Sequence, residues 1–199
     1  MSPARARTSR DAIVVAARAL LESDGLEAVS MAAVAERVGV RPPSLYKHVR
    51  DRSALLAAVT ETAAEDLGAV LRASIGADAS ASPADRLASL AHAYRSFARR
   101  SPRSAALLFA DLGLATHPPL EAMARAAQPV VDAAAALVGT EAALPAARVM
   151  TAFAHGFTSM ELAGAFRLGG IVEDAWRLGI DTLTRGLAAG AAPQERPRD

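Results

Sequence analysis

Apolar residues recur along this chain at helical spacing almost from the start. Ile13, Ala16, Ala17, Leu20 and Leu21 fall at i, i+3, i+4, i+7 and i+8, with Thr8 or Ser9 placed to cap the helix and Gly25 to stop it. Ser30 then opens a short helix with Met31, Val34, Ala35 and Val38 on one face. Gly39 stands where a helix end commonly turns left-handed. Pro42-Pro43 suit the first turn of a third short helix that runs to about Val49. Asp51 can cap a longer fourth helix with Leu55, Leu56, Val59, Ala63, Leu67, Val70 and Leu71 on its stripe, fading at Gly76 into a polar loop, residues 76–83.

Beyond the loop, Pro83 opens a fifth helix through Leu87, Leu90, Ala91, Tyr94 and Phe97. Ser101-Pro102 breaks it, and a short helix carries Leu107, Leu108, Phe109 and Leu112. His117-Pro118-Pro119 makes another break before a helix to about Val138. A long helix is predicted from about Leu144 to Phe166, and a final one opens with Glu173 and Asp174 and buries Trp176, Ile180, Leu183 and Leu187. No run alternates with the period of a strand, and no repeat of 20–50 residues is present. The pattern predicts an all-α protein of about nine helices, ending in a disordered tail, residues 192–199.

The two short helices around Gly39 are the informative unit. Two such helices joined by a tight glycine turn have the spacing of a helix-turn-helix, whose second helix enters the DNA major groove. Leu45 and Val49 lie four apart and can hold that helix to a core shared with Val34 and Val38. Arg41, Ser44, Tyr46, Lys47 and His48 are left facing outward, with donors for phosphates and base edges, and Pro43 can touch a thymine methyl.

Charge sharpens this picture. The net charge of +1 divides into +3 over residues 1–60 and −2 over the rest, so the end bearing the motif is the basic one. The apolar fraction of 52% supports a sizeable core, yet only 4% is aromatic; alanine fills much of the remainder and favours helices. With no cysteine and four scattered histidines (His48, His92, His117, His155), disulfides, thiolate chemistry and metal sites find no support, and no cofactor is expected. Arg5, Arg7 and Arg10 are followed by no signal-like apolar run, and no stretch approaches the roughly 20 apolar residues of a membrane span. A cytoplasmic protein without membrane association is predicted.

Residues 9–59 resemble the DNA-binding domain of the TetR family of transcriptional regulators. The likeness is carried by the Gly25 break, Ser30, the "VAERVGV" turn, the "LYKHV" recognition helix and "DRSALLAAV" opening the fourth helix. The resemblance implies phosphate contacts from Ser30, Tyr46 and Arg52, and base or flanking-backbone contacts from Arg41, Pro43, Ser44, Lys47 and His48. Met31 and Ala32 stand where some relatives carry hydroxyl or basic groups, so base reading by the second helix is not expected here. Residues 148–170 are similar to a C-terminal regulatory domain known for a Trp-His-Gly motif, of which His155-Gly156 is present and the tryptophan is not.

The resemblance further implies domains at 1–52 (helix-turn-helix, with a basic arm 1–8) and 53–191 (ligand binding and dimerisation). It also implies a homodimer paired through the last two helices, a pseudo-palindromic double-stranded operator, and an apolar pocket for a small-molecule effector. Tyr94, Phe97, Phe109, Leu112, Phe153 and Phe157 are the candidate lining; ordinary core is the other reading of each. Gly156 with Gly164, and Gly179 with Gly186, fall on common helix faces, where their small size suits close packing within the chain or against a second copy. With Trp176 and Leu183 they are the candidate dimer interface. The expected function is thus a repressor released by its effector. A ligand-binding helical module that does not bind DNA is the alternative, and a helical enzyme is the weaker one, since neither GxSxG nor a phosphate-binding glycine loop occurs.

Overall fold

The computed structural model describes residues 8–76, 80–110 and 120–191. The proposed tail, the basic arm before Thr8, the His117–Pro119 break and Leu112 lie outside them. Among the described residues the chain is helical throughout: α1 (Arg10–Asp24), α2 (Met31–Val38), α3 (Pro42–Leu45), α4 (Arg52–Ile75), α5 (Pro83–Arg100), α6 (Pro102–Leu107), α7 (Leu120–Val138), α8 (Thr140–Leu162) and α9 (Val172–Ala191). They form two compact units. One takes the chain to Asp66 with Ser101–Met123, the other Leu67–Arg100 with the chain from Ala124.

Local chemistry explains the helix ends of the first unit. Ser9 Oγ accepts from the Ala12 N–H, and Ser30 Oγ from the Ala33 N–H, each at 3.1 Å. Gly39 closes α2 at φ 78°: its N–H donates to Glu36 O at 3.0 Å, and that of Val40 to Ala35 O at 2.9 Å. This pair of bonds satisfies carbonyls that the helix end would leave bare. Nothing lies within 4 Å of where a Gly39 Cβ would sit, so only backbone strain opposes a side chain there. Gly39→Ala is expected to lower stability by about 1 kcal/mol, read as a drop in the urea midpoint, with Gly39→Asn milder.

The core of this unit joins Ile13, Ala17 and Leu21 of α1, Val34 and Ala35 of α2, Leu45, Val49, and Leu55, Leu56 and Val59 of α4, with Leu107 of α6. The helix-turn-helix therefore does not close at residue 52. Three short helices bury too little apolar surface alone, and the first turns of α4 together with α6 complete their core. Glu22 of α1 fixes α6 by accepting the Ser104 N–H at 2.8 Å, and Arg103 returns its guanidinium to the Glu22 carbonyl at 2.8 Å.

In the second unit α5 packs on α8 and α9. α5 buries Leu87, Leu90, Ala91, Tyr94, Phe97 and Ala98, and α8 buries Ala143, Met150 and Ala154, with Trp176 and Ile180 of α9 also buried; Ala146 and Ala147 of α8 pack with Val130, Val131 and Ala134 of α7. α8 starts at Thr140 rather than Leu144. Gly139, at φ 81°, turns the chain directly out of α7, and Pro145 is carried inside the second turn, where it forfeits a single backbone bond. α8 also stops at Leu162, short of Phe166. Gly164 has φ 63°, its N–H donates to Glu161 O, and the Ala165 N–H donates to Met160 O at 2.9 Å. Gly164 is thus the left-handed residue that ends the helix; it does not share a helical face with Gly156.

Candidate functional site

The motif around Gly39 presents a polar edge. α3 is one turn of helix, shorter than the run to Val49 that periodicity predicts, and residues 46–48 continue it as a turn. Val49 nonetheless donates its N–H to Leu45 O at 2.9 Å, so the segment keeps helical spacing to its end. Leu45 and Val49 are buried, and around them Arg41, Pro43, Tyr46, Lys47 and His48 are exposed, with Ser44 half-buried. Tyr46 is 55% exposed, so it is not packed beneath the motif. Neither Arg41 nor Lys47 has an ion-pair partner among the described residues, which leaves both charges uncommitted. Ser30 uses an oxygen lone pair to cap α2 and keeps its hydroxyl proton to donate.

Arg52 has a task besides the phosphate contact that the resemblance implies. Its Nε–H donates to Val29 O at 2.7 Å and its Nη2–H to Leu26 O at 2.8 Å. The guanidinium satisfies carbonyls of the 3-10 turn Leu26–Ala28 and its following residue, tying the start of α4 to the segment that leads into α2. Sequence reasoning passed over the neighbouring Arg50. It is strongly exposed and held by Asp51 at 2.7 Å, while Asp51 caps α4 by accepting the Ala54 N–H at 2.8 Å. That backbone bond and the Arg50 guanidinium hold the Asp51 carboxyl below its ordinary value. A cation directly after Val49 was the available signal.

The candidate pocket residues separate into groups. In the second unit, Phe153, Phe157 and Trp176 form an aromatic cluster with ring centroids 5.3–5.6 Å apart, extended by Phe166, 4.8 Å from Phe157. Tyr94 is buried with its hydroxyl 2.8 Å from His155 Nδ1, and Phe97 is buried on the same helix. Burial lifts the Tyr94 phenol to about 12 and pushes the His155 imidazole down. Phe109 belongs to the first unit and is 43% exposed.

Beside the aromatic cluster lies a charged group that periodicity did not reveal. Arg95 is buried, with its guanidinium carbon 4.7 Å from the Trp176 ring centroid. Its Nε–H and Nη2–H donate to the two oxygens of Glu161 at 2.8 and 2.7 Å, and its Nη1–H donates to Glu173 at 2.7 Å. These bonds hold both carboxyl groups below their ordinary values. Trp176 completes the arrangement by donating its Nε1–H to His92 Nδ1 at 3.0 Å.

Of the candidate interface residues, Trp176 is wholly buried in its own chain. A Cβ on Gly179 would clash with the edge of the Phe153 ring, so this glycine serves close packing within the chain. Leu183 is half-buried, whereas nothing lies within 4 Å of a Cβ built on Gly156 or Gly186. Among the described residues, no helix is long and apolar enough to cross a membrane, and no group of three His, Asp or Glu side chains could hold a metal.

Two family models match the chain. "Bacterial regulatory proteins, tetR family" covers residues 13–59, and "Tetracyclin repressor-like, C-terminal domain" covers residues 87–183. The HTH-type transcriptional regulator Rv0681 of Mycobacterium tuberculosis is 32% identical over 162 residues, covering 80% of this chain and 72% of that protein. A protein of unknown function from Rhodococcus sp. RHA1 superposes with a TM-score of 0.75 at 28% identity, covering 94% of this chain and all of the other. Two structures share the fold at lower identity. A TetR variant from Acinetobacter baumannii in complex with minocycline has a TM-score of 0.71 at 20%, over 94% of this chain and all of that one. BioQ of Mycobacterium smegmatis with its double-stranded DNA operator has a TM-score of 0.67 at 23%, over 92% and 99%. The chain therefore belongs to the TetR family, as a helix-turn-helix DNA-binding transcriptional regulator.

Proposed function

We propose that the protein is a homodimeric repressor that leaves its operator when a small molecule binds the C-terminal unit. One observation carries the DNA side of this reading: Leu45 and Val49 are buried while Arg41, Tyr46, Lys47 and His48 stand exposed around them. Pro43, Ser44 and the Ser30 hydroxyl extend the contact surface, and Arg52 braces it through two backbone carbonyls, with three N–H groups left for a phosphate. Two such surfaces on a twofold dimer suit a pseudo-palindromic site with half-sites about one DNA turn, ~34 Å, or a multiple apart. Exposed positions of α8 and α9, including Val149, Leu178 and Gly186, supply the dimer contact, with half-buried Gly156 and Leu183 at its margin and Trp176 and Gly179 bracing it from within.

The division of work places DNA binding on the first unit, ligand binding and dimerisation on the second, and α4, which passes from one to the other, as the link between them. Phe153 and Phe157, with the Tyr94–His155 pair for polar definition and Phe97 behind, are the proposed effector site. The retained His155-Gly156 pair supports kinship of this domain with the Trp-His-Gly type. A ligand that binds better to the DNA-incompetent state releases the operator, and DNA weakens ligand binding by the same factor.

A gel shift with the DNA upstream of the protein's own gene tests the reading, a specific retarded band at moderate salt being the expected result. Lys47→Ala should weaken that binding across sequences and reduce the slope of log K against log salt by about 1. An unchanged slope removes Lys47 from the phosphate contacts. No specific band at low ionic strength would favour the ligand-binding module without DNA recognition.

A further inference from the structure

A groove of about 410 Å³ lies along α5, lined by His92, Arg95, Ser96, Arg99 and Arg100. These residues recur at helical spacing, so one helix face presents all five. No carboxylate lines the groove, and each lining residue brings a hydrogen-bond donor to it. Arg95 is the buried floor. Three of its five N–H groups go to Glu161 and Glu173, and the other two meet no acceptor among the described residues.

His92 is a donor by tautomer. Trp176 donates to its Nδ1, so the neutral ring carries its proton on Nε2. Burial pushes this histidine below its ordinary value and supports the neutral form. Ser96 Oγ accepts from Arg100 Nη1, leaving the hydroxyl proton to donate. Arg99 is exposed and only marginally engaged, 4.0 Å from Glu161. Three arginines against the two glutamates that hold Arg95 leave the groove with an uncompensated positive charge.

We propose that this groove binds the oxyanion group, phosphate or carboxylate, of a small ligand. Guanidinium forks match both groups in plane and in donor spacing, and His92 and Ser96 supply neutral donors on the same side. None of the proposed effector residues lines the groove, and its floor, Arg95, meets them only from behind, its guanidinium carbon 5.9 Å from the Phe157 ring centroid.

The chain's one tryptophan reports on this groove directly, since Trp176 bonds to His92 and lies against Arg95. The full-length protein is titrated at low ionic strength with inorganic phosphate and, separately, with citrate, and Trp176 emission is followed against sodium chloride of matched ionic strength. A saturable change with phosphate or citrate, absent with chloride, is expected; the tighter of the two assigns the oxyanion class. Arg99→Gln with Arg100→Gln should raise the half-saturating concentration at least tenfold. Ser96→Ala should raise it severalfold, and Lys47→Ala, in the DNA-reading segment, should not move it. These positions are exposed, and circular dichroism verifies that each variant is folded. A non-saturating response, a chloride response of equal size, or titrations unaltered by the double substitution would overturn the assignment.

Discussion

Replacing Leu45 by alanine will abolish operator binding and unfold the DNA-reading unit at markedly lower urea. Leu45 is wholly buried against Val34, Leu55, Leu56 and their neighbours, and it is the only fully buried side chain that α3 contributes. Leucine-to-alanine changes at such sites cost about 2–5 kcal/mol, a large share of the ~5–15 kcal/mol by which domains are stable. The exposed residues that flank Leu45 are held to the core chiefly by it and Val49, with half-buried Val40 just ahead of them, so their spacing loosens when Leu45 is cut back. Urea melts followed by circular dichroism and the operator gel shift read the two effects. Val49→Ala should repeat them in weaker form because valine loses less volume. A midpoint equal to that of the unchanged protein would show that Leu45 does not brace the segment.

The second large effect concerns the buried arginine. Glu161→Gln removes the charge that takes two of the Arg95 hydrogen bonds, keeps at most one of them through the amide oxygen, and leaves Glu173 as the only anion bonded to the guanidinium. Breaking a buried ion pair from one side costs about 3–5 kcal/mol. The lower end is expected here, because Glu173 is more than a third exposed and still compensates part of the charge. Since Glu161 closes α8 and Glu173 opens α9, the substitution should loosen the connection between these helices.

The pH dependence has a definite sign. Both carboxyl groups titrate lower in the folded protein than in the unfolded chain. Their contribution is therefore complete above the unfolded value, about 4.3, and is lost as pH falls through the depressed folded values. The unchanged protein should lose stability on acidification below about pH 4.3, and Glu161→Gln should flatten that loss. Equal acid sensitivity in both proteins would assign it to other carboxylates.

The sequence by itself determined the helices and the face that each turns inward. Caps, glycine stops and the 3.6-residue period act within a few positions, so Ser9, Ser30, Gly39 and Asp51 mark their boundaries and Leu45 and Val49 declare themselves core while their neighbours stay polar. Where local signals conflicted, bounds moved: the helix predicted from about Leu144 begins at Thr140 and carries Pro145 inside it, and Gly164, read as a packing glycine, follows its end in the left-handed region.

Only tertiary structure decided which polar groups are already spoken for. Arg52 reaches carbonyls 23 and 26 positions away, Arg95 reaches Glu161 and Glu173 across 66 and 78, and Trp176 meets His92 across 84. A charged residue on an amphipathic stripe reads the same whether it faces water or a distant carboxylate. The period of a helix says which side is inward; it carries no record of what another helix brings to that side.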